Sequence, residues 1–452
     1  MGLNGVLPAS LVGRAVPLVF ALAVLGVLAV SYGFIRLTSH FNHAGSVYAL
    51  VGATLGPRAG FFSGWALFGT YLTFTAATIP SAGLFGEAFL RSTGIWAGAD
   101  WLPIALVATA GVWLLAYREI RVASRSLWTM EGISVATILV LIVVVFFRLF
   151  TGTAPREQTF TLAVFTPPEG VSWGAVVGAT AYGFLSWAGF EGAASLGEET
   201  NDPRRNVPRA IAIAVALTAV FYVVTMMMES LGFGVDRRGV AAFAGSSSPL
   251  GDLAAGYVGA LLSDLLNFGA MVSSFAAALG CATAASRNLF AFARDGFVSR
   301  RLGVASPRTG APANALALLM VTVTTIYLGL RLVGVDNAID HYYYMATLGV
   351  LSLLVAYMLT SVGAIVFLPV RTRSAPLWEA VVPAAAVVYL LYTLYKNATL
   401  VPTPPYSLFP FVVGAWLLVG AAVVVLVPGL AQRIGENLTR EEGLDAADRE
   451  GA

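Results

Sequence analysis

The sequence predicts an all-α integral membrane protein, and both its composition and its apolar runs point to that class. Of 452 residues, 58% are hydrophobic and 11% are charged, and the mean hydropathy is +0.80. Soluble domains carry about 25% charged residues. Apolar runs of about 20 residues recur along the chain, and each matches the roughly 30 Å of hydrocarbon in a bilayer. A multi-pass membrane protein is therefore expected.

About eleven such runs remain when the chain is divided at charged or Pro/Gly-rich loops. Arginines favour, by about two to one, the side that holds the loops after the third, fifth and seventh runs. Those loops and the carboxyl terminus are therefore expected in the cytoplasm of a cell whose inner membrane holds the protein. The runs are 16–37, 59–90, 102–117, 127–150, 173–196, 210–233, 259–284, 314–330, 343–367, 377–395 and 409–430.

The end of the chain differs from the rest. Residues 431–452 are polar and acidic, which is typical of a solvated tail. We therefore expect a single transmembrane domain over 1–430, followed by a cytoplasmic tail.

Several functional classes are disfavoured by composition. One cysteine and three histidines are too few for a structural metal site or a disulfide framework. The net charge is only +2, and the arginines lie in short loops where topology explains them better than nucleic-acid binding does. No nucleophile with a base and an orienting group is evident, so an enzyme is least expected, and no cofactor is implied.

One apolar run, 173–196, departs from the pattern of the others. It carries Gly183, Gly189 and Gly192 together with a carboxylate, Glu191, at mid-depth. Glycine weakens a helix by about 1 kcal/mol relative to alanine. An ionisable side chain in hydrocarbon costs about 2.5 kcal/mol or more. These costs indicate a functional site.

Three stretches carry a family resemblance. Residues 188–210, AGFEGAASLGEETNDPRRNVPRA, resemble the sixth helix and following loop of the amino acid–polyamine–organocation (APC) permeases. Residues 273–297, SSFAAALGCATAASRNLFAFARDGF, are similar to the eighth helix and its cytoplasmic loop in that family. Residues 42–48, NHAGSVY, resemble its first cytoplasmic loop. The three stretches occur in the family's order along the chain.

The resemblance implies a fold of two inverted five-helix repeats with two extra C-terminal helices, in which broken first and sixth helices line a site at the membrane midplane. Aligned on these motifs, run 16–37 is the family's second helix, so the chain holds family helices 2 to 12. Residues 1–14 are expected to be the end of the first helix or the loop behind it. A start assigned too late is favoured over a true eleven-helix protein, and any site formed here would be half a site.

The function that the resemblance implies is secondary active transport of an amino acid or related amine by alternating access, with proton coupling or exchange. Two alternatives stay open. One is a passive facilitator of the same fold. The other is a truncated or non-transporting membrane protein that acts as a binding partner.

A broken helix frees backbone groups that need partners, because an unpaired one in hydrocarbon costs several kcal/mol. Carbonyl groups at the break would accept hydrogen bonds from a substrate ammonium, while aromatic side chains either wall the pocket or pack against the core or lipid. The expected substrate-binding residues are Phe184, Ser186, Trp187, Ala188, Gly189 and Phe190.

Glu191 is the candidate for gating and proton coupling. In a dry site it would stay protonated and release its proton when water enters. The alternative is a neutral carboxyl bonded to a neighbouring backbone or tyrosine. The resemblance implies that Tyr48 and Tyr357 form an inner gate with this glutamate.

Ser273 and Ser274 stand where sodium-coupled relatives place hydroxyl ligands, so they form a candidate ion site. Hydroxyls in membrane helices more often bond back to the preceding turn, which makes sodium less expected than a proton. Glu131 is expected near the interface, where water solvates it. No buried carboxylate other than Glu191 is placed to meet the cationic side chain of a substrate. Neutral substrates are therefore favoured.

Overall fold

The computed structural model describes residues 2–41, 46–118, 121–294, 296–371, 376–400 and 404–426, and every regular element in those ranges is helical. The expected tail 431–452 and part of the first-loop motif, 42–45, lie outside the described residues. The α-helices are α1 Val6–Val12, α2 Val16–Thr38, α3 Ser46–Leu55, α4 Pro57–Ser92, α5 Trp101–Arg118, α6 Arg121–Thr151, α7 Trp173–Trp187, α8 Pro203–Phe233, α9 Arg237–Ala244, α10 Pro249–Tyr257, α11 Ala260–Arg294, α12 Ala313–Leu332, α13 Ala338–Val366, α14 Val381–Leu400 and α15 Phe409–Leu426.

Nine of the eleven predicted membrane spans are confirmed. Within the described ranges, nine segments are long and apolar enough to cross a bilayer, judged by length and composition. The two remaining predicted runs, 59–90 and 173–196, correspond to α4 and to α7 with the 3-10 segment that follows it. Helix α4 is rich in glycine, serine and threonine, and α7 has only 15 residues because it stops at Trp187. The described part of the chain is therefore all-helical with apolar segments long enough to span a membrane, in agreement with the expected fold class.

Two long helices form the centre of the structure. Helix α4 has 36 residues and α11 has 35, and they pack along each other. Helix α13 packs on the other side of α4. Helix α7 packs mainly against α2 and α14, and its continuation, a 3-10 segment at Phe190–Glu199, packs mainly against α8 and α3.

The amino-terminal residues form a second broken element. A 3-10 turn at Gly2–Gly5 leads into α1, which packs against α7 and α9. The turn itself contacts α7 and α8. Helices α9 and α10 lie between α8 and α11, and α10 packs on α6 and α11. Two interrupted segments thus face each other, as the inverted-repeat fold requires.

Close helix crossings depend on small residues, because membrane helices associate through packing and not through exclusion of water. At the crossing of α4 and α5, a Cβ atom at Gly83 would stand 2.4 Å from the carbonyl oxygen of Trp101. At the crossing of α2 and α7, a Cβ atom at Gly183 would stand 2.5 Å from that of Ala23. The backbones therefore touch where a side chain would separate them.

Gly83→Ala should destabilise the protein by about 1–3 kcal/mol, because the added methyl group meets a backbone oxygen that cannot rotate away. The measurement is the midpoint of thermal unfolding in detergent. Gly280→Ala on α11 is the matched control, since nothing lies within 4 Å of its added Cβ atom and alanine favours the helix. Equal midpoints for the two variants would contradict the close crossing.

Candidate substrate cavity and carboxylate gate

Glycine at position 189 sets the break after α7. Ala188 is extended, with ψ 125°, and Gly189 has φ +115°, a conformation that costs glycine little and other residues more. The chain then resumes as the 3-10 segment that begins at Phe190. The turn brings the Glu191 side chain back towards the end of α7.

The Glu191 carboxylate accepts hydrogen bonds from three parts of the structure. The Tyr71 hydroxyl on α4 donates to Oε1 at 3.0 Å. The Tyr357 hydroxyl on α13 donates to Oε2 at 2.7 Å. The Gly189 N–H at the break donates to Oε2 at 2.9 Å. Glu191 is 0% exposed, so these bonds replace the water that the carboxylate loses.

Aromatic rings surround this carboxylate gate, which we define as Glu191 with Tyr71 and Tyr357. Phe34 on α2 packs edge-on against Phe190 at 5.3 Å and against Tyr357 at 5.7 Å between ring centroids. Phe190 and Tyr357 are also 5.3 Å apart. Separating Tyr357 from Glu191 would therefore disturb these ring contacts as well as the hydrogen bond.

A cavity of about 470 Å³ lies beside the break. Small-molecule sites commonly measure about 300–1,000 Å³. Its lining comes from α4, α6, α7, α8, α10, α11 and α13 and from the amino-terminal turn. Four of the residues selected from the sequence are among those that line it, namely Ser186, Ala188, Ser273 and Ser274.

The amino-terminal turn closes one wall of the cavity, so the expectation of half a site is corrected. Asn4 is buried, and its side-chain amide donates to the Ser186 hydroxyl at 2.7 Å. The Tyr342 hydroxyl donates to the side-chain amide oxygen of Asn4, Oδ1. The Tyr343 hydroxyl donates to the carbonyl oxygen of Leu3. These bonds hold the turn opposite the broken helix.

The aromatic residues expected to bind substrate have other neighbours. Phe184 packs near Tyr389 on α14, with ring centroids 6.0 Å apart. Trp187 packs against Tyr222 at 4.9 Å. Both side chains are buried, and neither is among the residues that line the cavity. Their contribution is to hold α7 against its neighbours.

Tyr48 and Tyr357 were expected to act together, and the structure gives them different surroundings. Tyr357 reaches Glu191, as described above. Tyr48 is half-buried on α3 and lies edge-on to Phe292, with centroids 6.4 Å apart. Tyr71, which the sequence analysis did not select, lies directly on the carboxylate.

The hydroxyl pair on α11 faces polar partners across the cavity. Ser273 donates to Glu131 Oε1 at 3.2 Å, and Ser274 lies 3.1 Å from the Ser81 hydroxyl. Glu131 lines the cavity and lies near the beginning of the apolar span Thr129–Thr151 of α6, so its expected place near the interface stays a prediction.

Comparison with known proteins identifies the chain. A family model described as amino acid permease matches residues 3–427. The chain belongs to the amino acid permease family. The branched-chain amino acid permease BcaP of Bacillus subtilis is 25% identical over 440 residues, 92% of this permease and 86% of that protein. The low-affinity putrescine importer PlaP of Escherichia coli is 28% identical over 324 residues, 68% of this permease and 67% of that protein.

A solved structure supports the fold independently. A mutant of the manganese transporter of Eremococcus coleocola superposes on the permease with a TM-score of 0.53 at 11% identity, over 96% of this chain and 91% of that one. At that identity the likeness concerns the fold alone. With the family and its relatives, it makes the protein a multi-pass membrane transporter for amino acids or amines and not an enzyme.

A further buried carboxylate of the permease was missed by the sequence analysis. Glu229 on α8 is 0% exposed, and no described residue donates a hydrogen bond to either of its oxygens. A Cβ atom at Gly5 would stand 3.2 Å from its Oε2. Its only sequence signal is a single acidic residue near the end of an apolar run.

Glu229→Met should raise the midpoint of thermal unfolding in detergent. The change keeps roughly the same volume and removes an unpaired buried carboxyl, which costs about 1–3 kcal/mol. Glu191→Met is the contrasting variant, and it should lower the midpoint because two tyrosine hydroxyls lose their acceptor. A fall in the midpoint for Glu229→Met would mean that its carboxyl has a partner and would contradict the prediction.

Proposed function

We propose that the permease is a secondary active transporter that moves its amino acid or amine by alternating access, with proton coupling or exchange. The observation that carries the proposal is the carboxylate gate. One buried carboxylate joins the break in α7 to α4 and α13 through three hydrogen bonds. A single change of protonation there acts on three elements at once.

The substrate would bind in the cavity with its ammonium group at the break. Helix α7 ends at Trp187, so backbone carbonyl groups near its end leave the helical hydrogen-bond ladder, and Ser186 and Ala188 line the cavity. A bound ammonium supplies the donors that such freed carbonyls need in a membrane. The Asn4 side chain orients the Ser186 hydroxyl from the opposite wall.

Proton coupling follows from the donors around Glu191. An ionised carboxylate accepts bonds from both tyrosines and from the Gly189 N–H. A protonated carboxyl carries one O–H donor and so satisfies fewer incoming donors. Protonation would release Tyr71 or Tyr357 and loosen the rings packed on the gate. A proton suits this site better than sodium, because the hydroxyls of Ser273 and Ser274 already face Glu131 and Ser81.

The same proposal includes the topology. The transporter would be one transmembrane domain over residues 1–430 in the cell inner membrane, with the tail 431–452 in the cytoplasm. Arginine-rich loops after the third, fifth and seventh spans support this orientation. Tyr48, on the helix that follows the first of the family-like loops, remains a proposed partner in gating.

Glu191→Gln should abolish accumulation of substrate against a gradient in proteoliposomes while exchange persists. The amide keeps the shape of the protonated side chain but cannot release a proton. The measurement is uptake of labelled amino acids and putrescine with and without an imposed pH gradient. Asp264→Asn is the control, because Asp264 bonds to Ser92 and is not among the cavity-lining residues.

Two results would count against the proposal. Flux without accumulation in the unaltered protein indicates a facilitator. If Glu191→Gln accumulates substrate as fully as the unaltered protein, Glu191 is not the coupling group.

Cys281 offers a direct probe of the cavity. It is the one cysteine of the sequence, it lines the cavity, and it lies within electrostatic reach of Glu191. Thiol reagents need water to form and reach the thiolate. A small methanethiosulfonate reagent should therefore label Cys281 in proteoliposomes, and saturating substrate should slow the labelling. Cys281→Ser is the unlabelled control. If saturating substrate does not change the rate at which Cys281 is labelled, the proposed binding place is contradicted.

A further inference from the structure

A second carboxylate faces the cavity away from the gate. Glu131 on α6 is half-buried and lines the cavity together with Ser134 and Tyr222. One of its oxygens, Oε1, accepts the Ser273 hydroxyl at 3.2 Å. The Tyr222 hydroxyl lies within electrostatic reach of the same carboxylate. The gate mechanism makes no use of this group.

Glu131 has no cationic partner in the part of the chain that the structure describes. The ion pairs found there join Arg36 to Glu379, Arg91 to Glu87 and Arg331 to Asp336. Intramembrane carboxylates are costly and normally pair with one another, with backbone or with a cation. Ser273 occupies one oxygen, and no hydrogen bond to the other is found among the described residues. The missing counter-charge is therefore expected from what the cavity binds.

Apolar side chains also line the cavity. Phe74 and Ala77 on α4 and Phe221 on α8 line the same cavity as Ser186 and Ala188. Such a wall suits a hydrocarbon stem. A molecule with one ammonium at the break, a methylene chain and a second ammonium at Glu131 satisfies each part of the lining.

We propose that Glu131 binds the second positive charge of the substrate, so that the permease selects dibasic compounds, either diamines or amino acids with a cationic side chain. The inference rests on the proposed function and names its substrate class. It departs from the expectation of neutral substrates, which rested on the view that no buried carboxylate other than Glu191 is placed to meet a cationic side chain. Ser273 is a positioning residue, because it orients one carboxylate oxygen and leaves the other for the ligand.

The test uses ligand pairs that differ in one ammonium group. Lysine is compared with norleucine, and putrescine with n-butylamine, by isothermal titration of the purified full-length protein. The unaltered protein should bind the dibasic member of each pair about 10- to 100-fold more tightly, as one charge-assisted hydrogen bond provides. Glu131→Gln should bring each pair within about threefold, which corresponds to loss of that bond. Asp264→Asn should keep the preference.

The inference fails if the unaltered protein binds norleucine as tightly as lysine and n-butylamine as tightly as putrescine, or if Glu131→Gln keeps the preference. A sodium titration provides the other arm. Saturable sodium binding that Glu131→Gln removes would make the carboxylate an ion site and would overturn the inference.

Uptake of the same compounds into proteoliposomes separates the two proposals. Uptake of norleucine or another neutral amino acid without a dibasic preference overturns this inference alone. Absence of uptake for all four compounds and for the common amino acids overturns the proposed function as well.

Discussion

The hydrogen bonds to Glu191 are the interaction on which the rest of the site depends. A carboxylate in the membrane interior is tolerated because two tyrosine hydroxyls and one backbone N–H replace its water. Those donors belong to α4, to α13 and to the break in α7. The same bonds therefore connect the segment that carries Glu191 to α4 and α13.

The cavity follows from that arrangement. Ending α7 at Trp187 exposes backbone carbonyls at mid-depth, and the amino-terminal turn closes the space in front of them through Asn4. Polar side chains line it at several positions, among them Ser186 next to the break and Glu131 on α6. Apolar side chains such as Phe74 and Phe221 line it as well. The proposed dibasic substrate rests on a carboxylate in this lining and on the helix break beside it.

Much of the fold could be predicted from the sequence, because hydrocarbon thickness dictates the length of each apolar run. Glu191 could be selected from the sequence for a related reason. An ionisable side chain inside such a run is energetically costly and therefore suggests a functional site. Tyr71 could not be selected in the same way, because a tyrosine in an apolar run usually packs against its neighbours. Only the position of α4 relative to the break brings the Tyr71 hydroxyl to the carboxylate. The directions of Phe184 and Trp187 depend on the neighbours of α7, which no local pattern encodes.

The protonation state of Glu191 during binding tests the central claim most directly. Infrared difference spectroscopy of the reconstituted protein, with and without substrate, reports the C=O stretch of protonated carboxyl groups. We predict a substrate-induced change in that band which is absent from Glu191→Gln and present in Asp264→Asn. An identical difference spectrum in the unaltered protein and in Glu191→Gln, with substrate bound in both, would contradict the account.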